Sequence, residues 1–231
     1  LGQVWQDDKE NIIKAGKLVA DSLEKDGIIH TFGTGHSHLI AEEIFYRAGG
    51  LAPVNAILEP SLTGHQHVTK SEYTERMEGW GKIILDYHEP KERDVLIVIS
   101  NSGRNAAPIE VAREGQKRGI PVLAIVSRKY CENISSRHSS GKKLIDYADI
   151  ISDNGTELGD ANVELDGLDV PVGPTSNLSA MYIIHGIVIT AIEELLNRGV
   201  KPPVFLSGNL DNGREHNDKL IEKYRDRIKG W

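Results

Sequence analysis

Val95-Leu96-Ile97-Val98-Ile99-Ser100-Asn101-Ser102-Gly103-Arg104-Asn105 decides the reading of this chain. The first five residues are an unbroken apolar run of strand length, without the alternation of a half-exposed strand, as expected for a strand covered on both faces of a parallel sheet. The run ends in a loop of hydroxyls and small residues, and a helical pattern then starts at Ala106 and stops at Gly119. A strand feeding such a loop into a helix N-terminus builds an anion cradle. The first N–H groups of a helix have no partner within it, and its dipole is positive at that end.

A second stretch repeats the design. Ile28, Ile29 and Phe32 lead into Gly33-Thr34-Gly35-His36-Ser37, and a helical run follows from His38 to Ala48. Working outward, the periodicity predicts helices over 4–25, 37–48, 71–87 and 106–118, with strands over 27–32, 52–58, 94–99 and 121–126 and a fifth within 144–151. This alternation implies an α/β fold, a parallel sheet between two helical layers. In the doubly wound strand order 2-1-3-4-5, strands one and three are neighbours, and both loops open into the crevice beyond their carboxyl ends. Ser37, Ser100 and Ser102 would then converge on one small anion.

Beyond the sheet, 153–173 is a Gly-, Asp- and Asn-rich excursion with a short extended piece at 163–165. Pro174-Thr175-Ser176-Asn177 reads as the start of an apolar helix running to Asn197, with Ser176 or Thr175 as its cap. The tail from Pro202 has an extended piece at 204–206, a turn at Asp211-Asn212-Gly213 and an amphipathic helix carrying Leu220, Ile221, Tyr224 and Ile228. No repeat or linker divides the chain, so a single domain over 1–231 is expected, with an N-terminal helix 4–25 and a C-terminal extension 202–231.

Composition excludes several classes. The 231 residues carry a net charge of −7 with scattered lysines and arginines, which argues against a nucleic-acid surface. Cys131 is the only cysteine, so no intrachain disulfide can form, and it reads as a structural thiol in a reducing, cytoplasmic setting. The apolar stretch from Ala180 to Ile192 falls short of the ~20 residues of a membrane span and reads as a buried helix. The polar, acidic first ten residues lack the basic n-region of a secretory signal. Gly33-Thr34-Gly35 begins like the dinucleotide fingerprint, with Glu59 placed as a ribose-binding acid, but His38 stands where its third glycine belongs. No GxxxxGK[ST] loop occurs, and no cofactor is expected.

These residues resemble the SIS, or sugar isomerase, family of phosphosugar-binding domains. Its glycine-serine loop after strand one is similar to 33–37, and its SxSGxT/S/N loop after strand three to 100–105. The resemblance extends to a bacterial group of sugar isomerase domain proteins through Ile99 and that second loop, Gly173-Pro174-Thr175-Ser176, Pro202-Pro203-Val204-Phe205 and Glu215-His216-Asn217. It implies a three-layer α/β/α flavodoxin-like SIS fold with a five-stranded parallel sheet, and a homodimer or homotetramer with its sites close to subunit interfaces. It also implies a sugar phosphate bound by Gly35, His36, Ser37, Ser100, Asn101, Ser102, Gly103, Asn105 and Ser176.

Aldose–ketose isomerisation through an enediol needs a general base beside the sugar and a group that serves its oxygen. Glu42 and Glu43 flank the helix face marked by Ile40, Ala41, Ile44 and Ala48 almost symmetrically, so periodicity does not choose between them. The resemblance chooses Glu43, since phosphoheptose isomerases carry an Ala-Glu-Glu run whose second glutamate is catalytic. Those enzymes also carry a histidine one turn earlier and another in the last helix. This chain has Leu39 and Met181 there, with His185 about one turn late. His65, similar to a histidine of the closer group, is the second proton-transfer candidate. The HxH pairs His36/His38 and His65/His67 have a spacing that suits a metal in an extended segment but no evident third ligand, and no metal is expected. Glu78 reads as a helix-surface acid and His216 as structural packing. A non-catalytic sensor would use the same ligand, and a lyase or etherase would use Glu43 for elimination.

Overall fold

In the computed structural model, which describes residues 1–65 and 67–231, Val95–Ile99 is the middle strand of a five-stranded parallel sheet. In chain order the elements are α1 (Gly2–Glu24), β1 (Ile29–Gly33), α2 (His38–Glu43), β2 (Val54–Ile57), α3 (Pro60–Thr63), α4 (Val68–Thr74), α5 (Trp80–His88), β3 (Val95–Ile99), α6 (Ala106–Lys117), β4 (Val122–Val126), α7 (Arg128–Asn133) and β5 (Ile150–Asp153). The hairpin β6 (Ala161–Val163) and β7 (Val172–Pro174), then α8 (Ser176–Asn197) and α9 (Gly213–Tyr224), complete the chain. The strand order is β2-β1-β3-β4-β5, as expected. Ile29 pairs with Val95 and Gly33 with Ile99, so β1 and β3 end level and their loops leave side by side.

The aliphatic run of β3 serves two cores. Val95, Ile97 and Ile99 point into one with α1, α2 and α8, while Leu96 and Val98 point into the other with α5 and α6. The period of two along a strand makes this split unavoidable. The most apolar window of α8 has a mean hydropathy of 1.5, enough in length and composition to cross a bilayer, yet Ile183, Ile184 and Ile187 are buried in the first core. The C-terminal tail closes a third cluster, in which Phe205, Tyr224 and Ile228 pack on Ile28 and Ala52.

Several boundaries differ from the sequence reading. The helix expected over 71–87 is two helices, because Gly79 takes φ +91° and the buried Glu110 carboxylate accepts the N–H groups of Gly79 and Gly81. The helix expected over 37–48 ends at Glu43, with Tyr46 at φ +49°. Residues 144–147 form a tight turn, and the fifth strand begins at Ile150. Neither Thr175 nor Ser176 caps α8 with its side chain. Asp160 does so, accepting from Thr175 N, Ser176 N and Ser176 Oγ at 3.1, 2.8 and 2.7 Å.

One buried acid works against stability. Asp8 on α1 accepts from Asn11 at 2.7 Å, its Oδ2 has no hydrogen-bond partner among the described residues, and burial pushes its carboxyl up from 3.8. A raised folded-state pKa contributes stability that is present at low pH and lost as pH rises through it. Asp8→Asn should therefore stabilise the fold at pH 7 by about 1 kcal/mol, the low end of the cost of an unpartnered buried group. The gain should vanish below about pH 3, where the wild-type carboxyl is protonated in both states. Denaturant melts at the two pH values check this, and a variant less stable than wild type at pH 7 would refute it.

Candidate functional site

The loop after β3 keeps the strand's course for one residue, since Ser100 N donates to Ile125 O at 3.1 Å. It then turns, with Gly103 N donating to Ser100 Oγ at 3.1 Å. Gly103 has φ +59°, and a Cβ there would lie 2.8 Å from Cys131 Sγ, so both conformation and space require glycine. Asn101 Oδ1 accepts from Asn154 Nδ2 and Thr156 Oγ1, both at 2.9 Å, tying the loop to the chain after β5. The loop after β1 is equally tight. A Cβ on Gly33 would sit 2.5 Å from Ser37 O.

Between the two loops stands a residue that the sequence reading passed over. Glu75 follows α4, and its carbonyl accepts Ala107 N at 3.0 Å, docking the end of α4 on the start of α6. Its carboxylate bridges the cradles, accepting from Thr34 Oγ1 at 3.0 Å and from Asn105 Nδ2 at 2.7 Å. Asn105 Oδ1 in turn accepts from Arg137 at 3.1 Å. Burial pushes the Glu75 carboxyl above its ordinary value of 4.5, and the hydrogen bonds from Thr34 and Asn105 only partly oppose it. Burial and the like charges of Arg104 and Arg76 push the Arg137 guanidinium down. Those cations stand beside the cradles, the side from which a phosphate gains most.

The crevice is a cavity of about 260 Å3, lined by Thr34, His36, Ser37, Glu75, Ser100, Asn101, Ser102, Asn105, Tyr130, Asp160, Ser176 and Asn177. Ser37, Ser100 and Ser102 therefore meet as the sequence suggested. Ser37 Oγ and Ser102 Oγ take no hydrogen bond among the described residues, which leaves them to a ligand. Gly35 and Gly103 shape the turns. Asn101 Oδ1 and both ends of the Asn105 amide are committed to neighbouring segments, and Ser176 Oγ is committed to Asp160. A second cavity of about 470 Å3 shares His36 and Glu75 with the crevice and is lined further by His38, Leu39, His65 and Val68.

His65 thus lies in the second lobe, its Nδ1 at 2.6 Å from Thr63 Oγ1 and its ring 5.8 Å from that of His38. Glu43 lines neither lobe. It pairs with His185 Nε2 at 3.0 Å and Arg47 at 3.3 Å, on the side where α2 meets α8. That pairing lies roughly 13 Å along α8 from Ser176 at 1.5 Å per residue. Glu59 caps α3, accepting from Ser61 N. Glu78 accepts from Ser139, and His216 bonds Val204 O. Among the described residues no three His, Cys, Asp or Glu side chains cluster as metal ligands. Besides Glu75, the sequence reading missed Thr34, Asp160 and Asn177. The Glu78-Gly79 pair, as a helix stop, was the available signal for the first.

Three comparisons bear on this geometry. The SIS domain model matches residues 1–127. A UPF0309 protein of Halalkalibacterium halodurans is 42% identical over 224 residues, covering 97% of this chain and 93% of its own. One of Thermoanaerobacter pseudethanolicus is 46% identical over 224 residues, covering 95% and 91%. A phosphoheptose isomerase from Francisella tularensis shares the fold with a TM-score of 0.54 at 17% identity, over 83% of this chain and 90% of that one.

Proposed function

The chain belongs to the SIS-domain family, and on that premise we propose that it binds a sugar phosphate between the ends of β1 and β3 and isomerises it between aldose and ketose. The observation that carries this reading is Glu75, a carboxylate held by one residue of each cradle, Thr34 and Asn105. The phosphate would rest on the hydroxyls of Ser37, Ser100 and Ser102 at the positive end of the α6 dipole. Glu75 would then remove the proton from C2 of the aldose to give an enediolate, the hydroxyl proton would pass from O2 to O1, and Glu75 would return its proton at C1, yielding the ketose. Glu43, paired with His185, is the second carboxylate to be tested.

Proton NMR in D2O with a panel of hexose, heptose and amino-sugar phosphates tests the reading. Deuterium entering C1 or C2 of one compound is expected. Line broadening on every compound without exchange would make the protein a binding module instead. Ser102→Glu should weaken sugar-phosphate binding about 100-fold, or about 3 kcal/mol, by placing a carboxylate against the phosphate without touching either core. Unchanged affinity would remove this loop from the site.

The same reading includes assembly as a homodimer or homotetramer. Leu178, Tyr182, His185, Ile189, Ile192 and Leu196 recur every three or four residues along α8, with Leu178, Ile189 and Leu196 exposed. Light scattering on the purified protein should give a multiple of the 25.5 kDa chain mass, and Ile189→Asp should reduce it. A wild-type monomer at micromolar concentration would overturn this part.

A further inference from the structure

We propose that the β6–β7 arm of one copy of the chain docks in a groove on α1 and β5 of a second copy, and that the second copy's arm docks in the first copy's groove. The inference rests on the assembly reading and adds to it an interface separate from the exposed face of α8. Residues 162–171 of the arm are exposed without a break, and Val163, Leu165, Leu168 and Val170 among them are 48–60% exposed. A two-stranded hairpin is at best marginally stable alone in water, and contiguous exposed apolar side chains mark a contact with another protein surface. Glu164, Asp166 and Asp169 interleave with these side chains, and the arm carries no cation.

The groove has the complementary chemistry. It measures about 630 Å3, with Leu18, Ile120, Pro121 and Ile150 as its apolar lining and Lys14 and Lys17 on its α1 side. Neither lysine makes an ion pair among the described residues, and the groove's own acids are engaged elsewhere, Asp21 with Arg198 at 2.7 Å and Asp149 with Val122 N at 2.8 Å. An apolar lining beside unpaired ammonium groups suits an aliphatic segment that carries carboxylates and no cation, which is what the arm is. Arm and groove also flank one edge of the molecule. The arm leaves the end of β5 through Gly155, where a Cβ would lie 3.6 Å from Val4 at the start of α1. The groove begins at Lys14, roughly 15 Å further along α1 at 1.5 Å per residue. A two-fold axis crossing that edge between them exchanges arm and groove, so the two contacts close into a pair instead of propagating. Asp160 at the base of the arm lines the crevice, so the same contact steadies one wall of the phosphosugar site.

Charge reversal read by light scattering provides the test. Lys14→Glu with Lys17→Glu reverses the groove, and Asp166→Lys with Asp169→Lys reverses the arm. All four positions are exposed, so neither change burdens a core. Each double variant alone sets like charges against each other in both contacts, which should weaken association about 100-fold and halve the wild-type particle mass. An equimolar mixture of the two variants restores opposite charges in both contacts and should regain the wild-type mass, a result that unfolded variants could not give. Wild-type mass in either variant alone overturns the docking, and a mixture that stays dissociated overturns it too by assigning the arm to a partner other than a second copy. In both cases a loss of mass in Ile189→Asp leaves the assembly reading intact. A monomeric wild type at micromolar concentration sinks both.

Discussion

Glu75→Gln is expected to lower proton exchange by a factor of about 10²–10⁴, the usual contribution of a general base, while sugar-phosphate affinity stays within a few-fold. Glutamine fits the same bridge. Its carbonyl accepts from Asn105 Nδ2, and its amide donates to Thr34 Oγ1, since a hydroxyl can reverse its role. The substitution therefore removes the ability to take a proton and little else. The pH profile gives a second readout. Burial holds the carboxyl above 4.5, and below its pKa Glu75 is protonated and cannot accept a proton from carbon. The acid limb of kcat/KM should accordingly lie above the ordinary glutamate value and be absent from the residual rate of Glu75→Gln. Glu43→Gln is the control. Loss of exchange there, with full exchange in Glu75→Gln, would move the chemistry to the Glu43–His185 pair.

The sheet was legible because its information is local. Each strand is a short apolar run ended by a turn signal, and the serine loop follows the middle one directly, so the strand order alone brought Ser37, Ser100 and Ser102 together. Glu75 was illegible because its position depends on a helix break that 71–87 does not announce by periodicity. Gly79 can adopt φ +91°, but the break is held by Glu110, some thirty residues later in the chain. Asp160 was illegible for a different reason. Its excursion has no period, and its function is to cap a helix that starts sixteen residues on. The sequence reading also placed His185 a turn away from usefulness, whereas the packing of α2 on α8 brings it to Glu43.

The second large effect lies at the opposite end of the sheet. Asp94→Ala is expected to cost about 3–5 kcal/mol, the range for breaking a buried ion pair from one side. Asp94 is fully buried and accepts from Ile28 N at 2.9 Å, Lys91 N at 2.7 Å, His30 Nε2 at 3.1 Å and Arg227 at 2.8 Å, so one carboxylate joins β1, the start of β3 and the C-terminal tail. Asn55 extends the network, its amide reaching Nδ1 of both His30 and His88 at 3.0 Å while its oxygen accepts Lys229 N at 3.2 Å. An amide nitrogen only donates, so both Nδ1 atoms accept, and His30 is left with a proton on Nε2 for Asp94. Burial alone would raise the Asp94 carboxyl, but the hydrogen bonds from His30, Lys91 N and Ile28 N hold it at about 2. Burial also drops His88 to about 4. Both shifts have the same sign in stability. The unfolded chain binds the proton more readily, so the fold should lose stability as pH falls from 6.5 towards 4 through His88, and from 3.8 towards 2 through Asp94. Urea denaturation across that range checks both parts. Asp94→Ala should remove the lower step, and Arg227→Met, which leaves Asp94 its other donors, should cost less than Asp94→Ala. A loss below about 1 kcal/mol for Asp94→Ala would mean that the tail and the strands hold together without this carboxylate, and that β1 and β3 are kept level by the apolar cores alone.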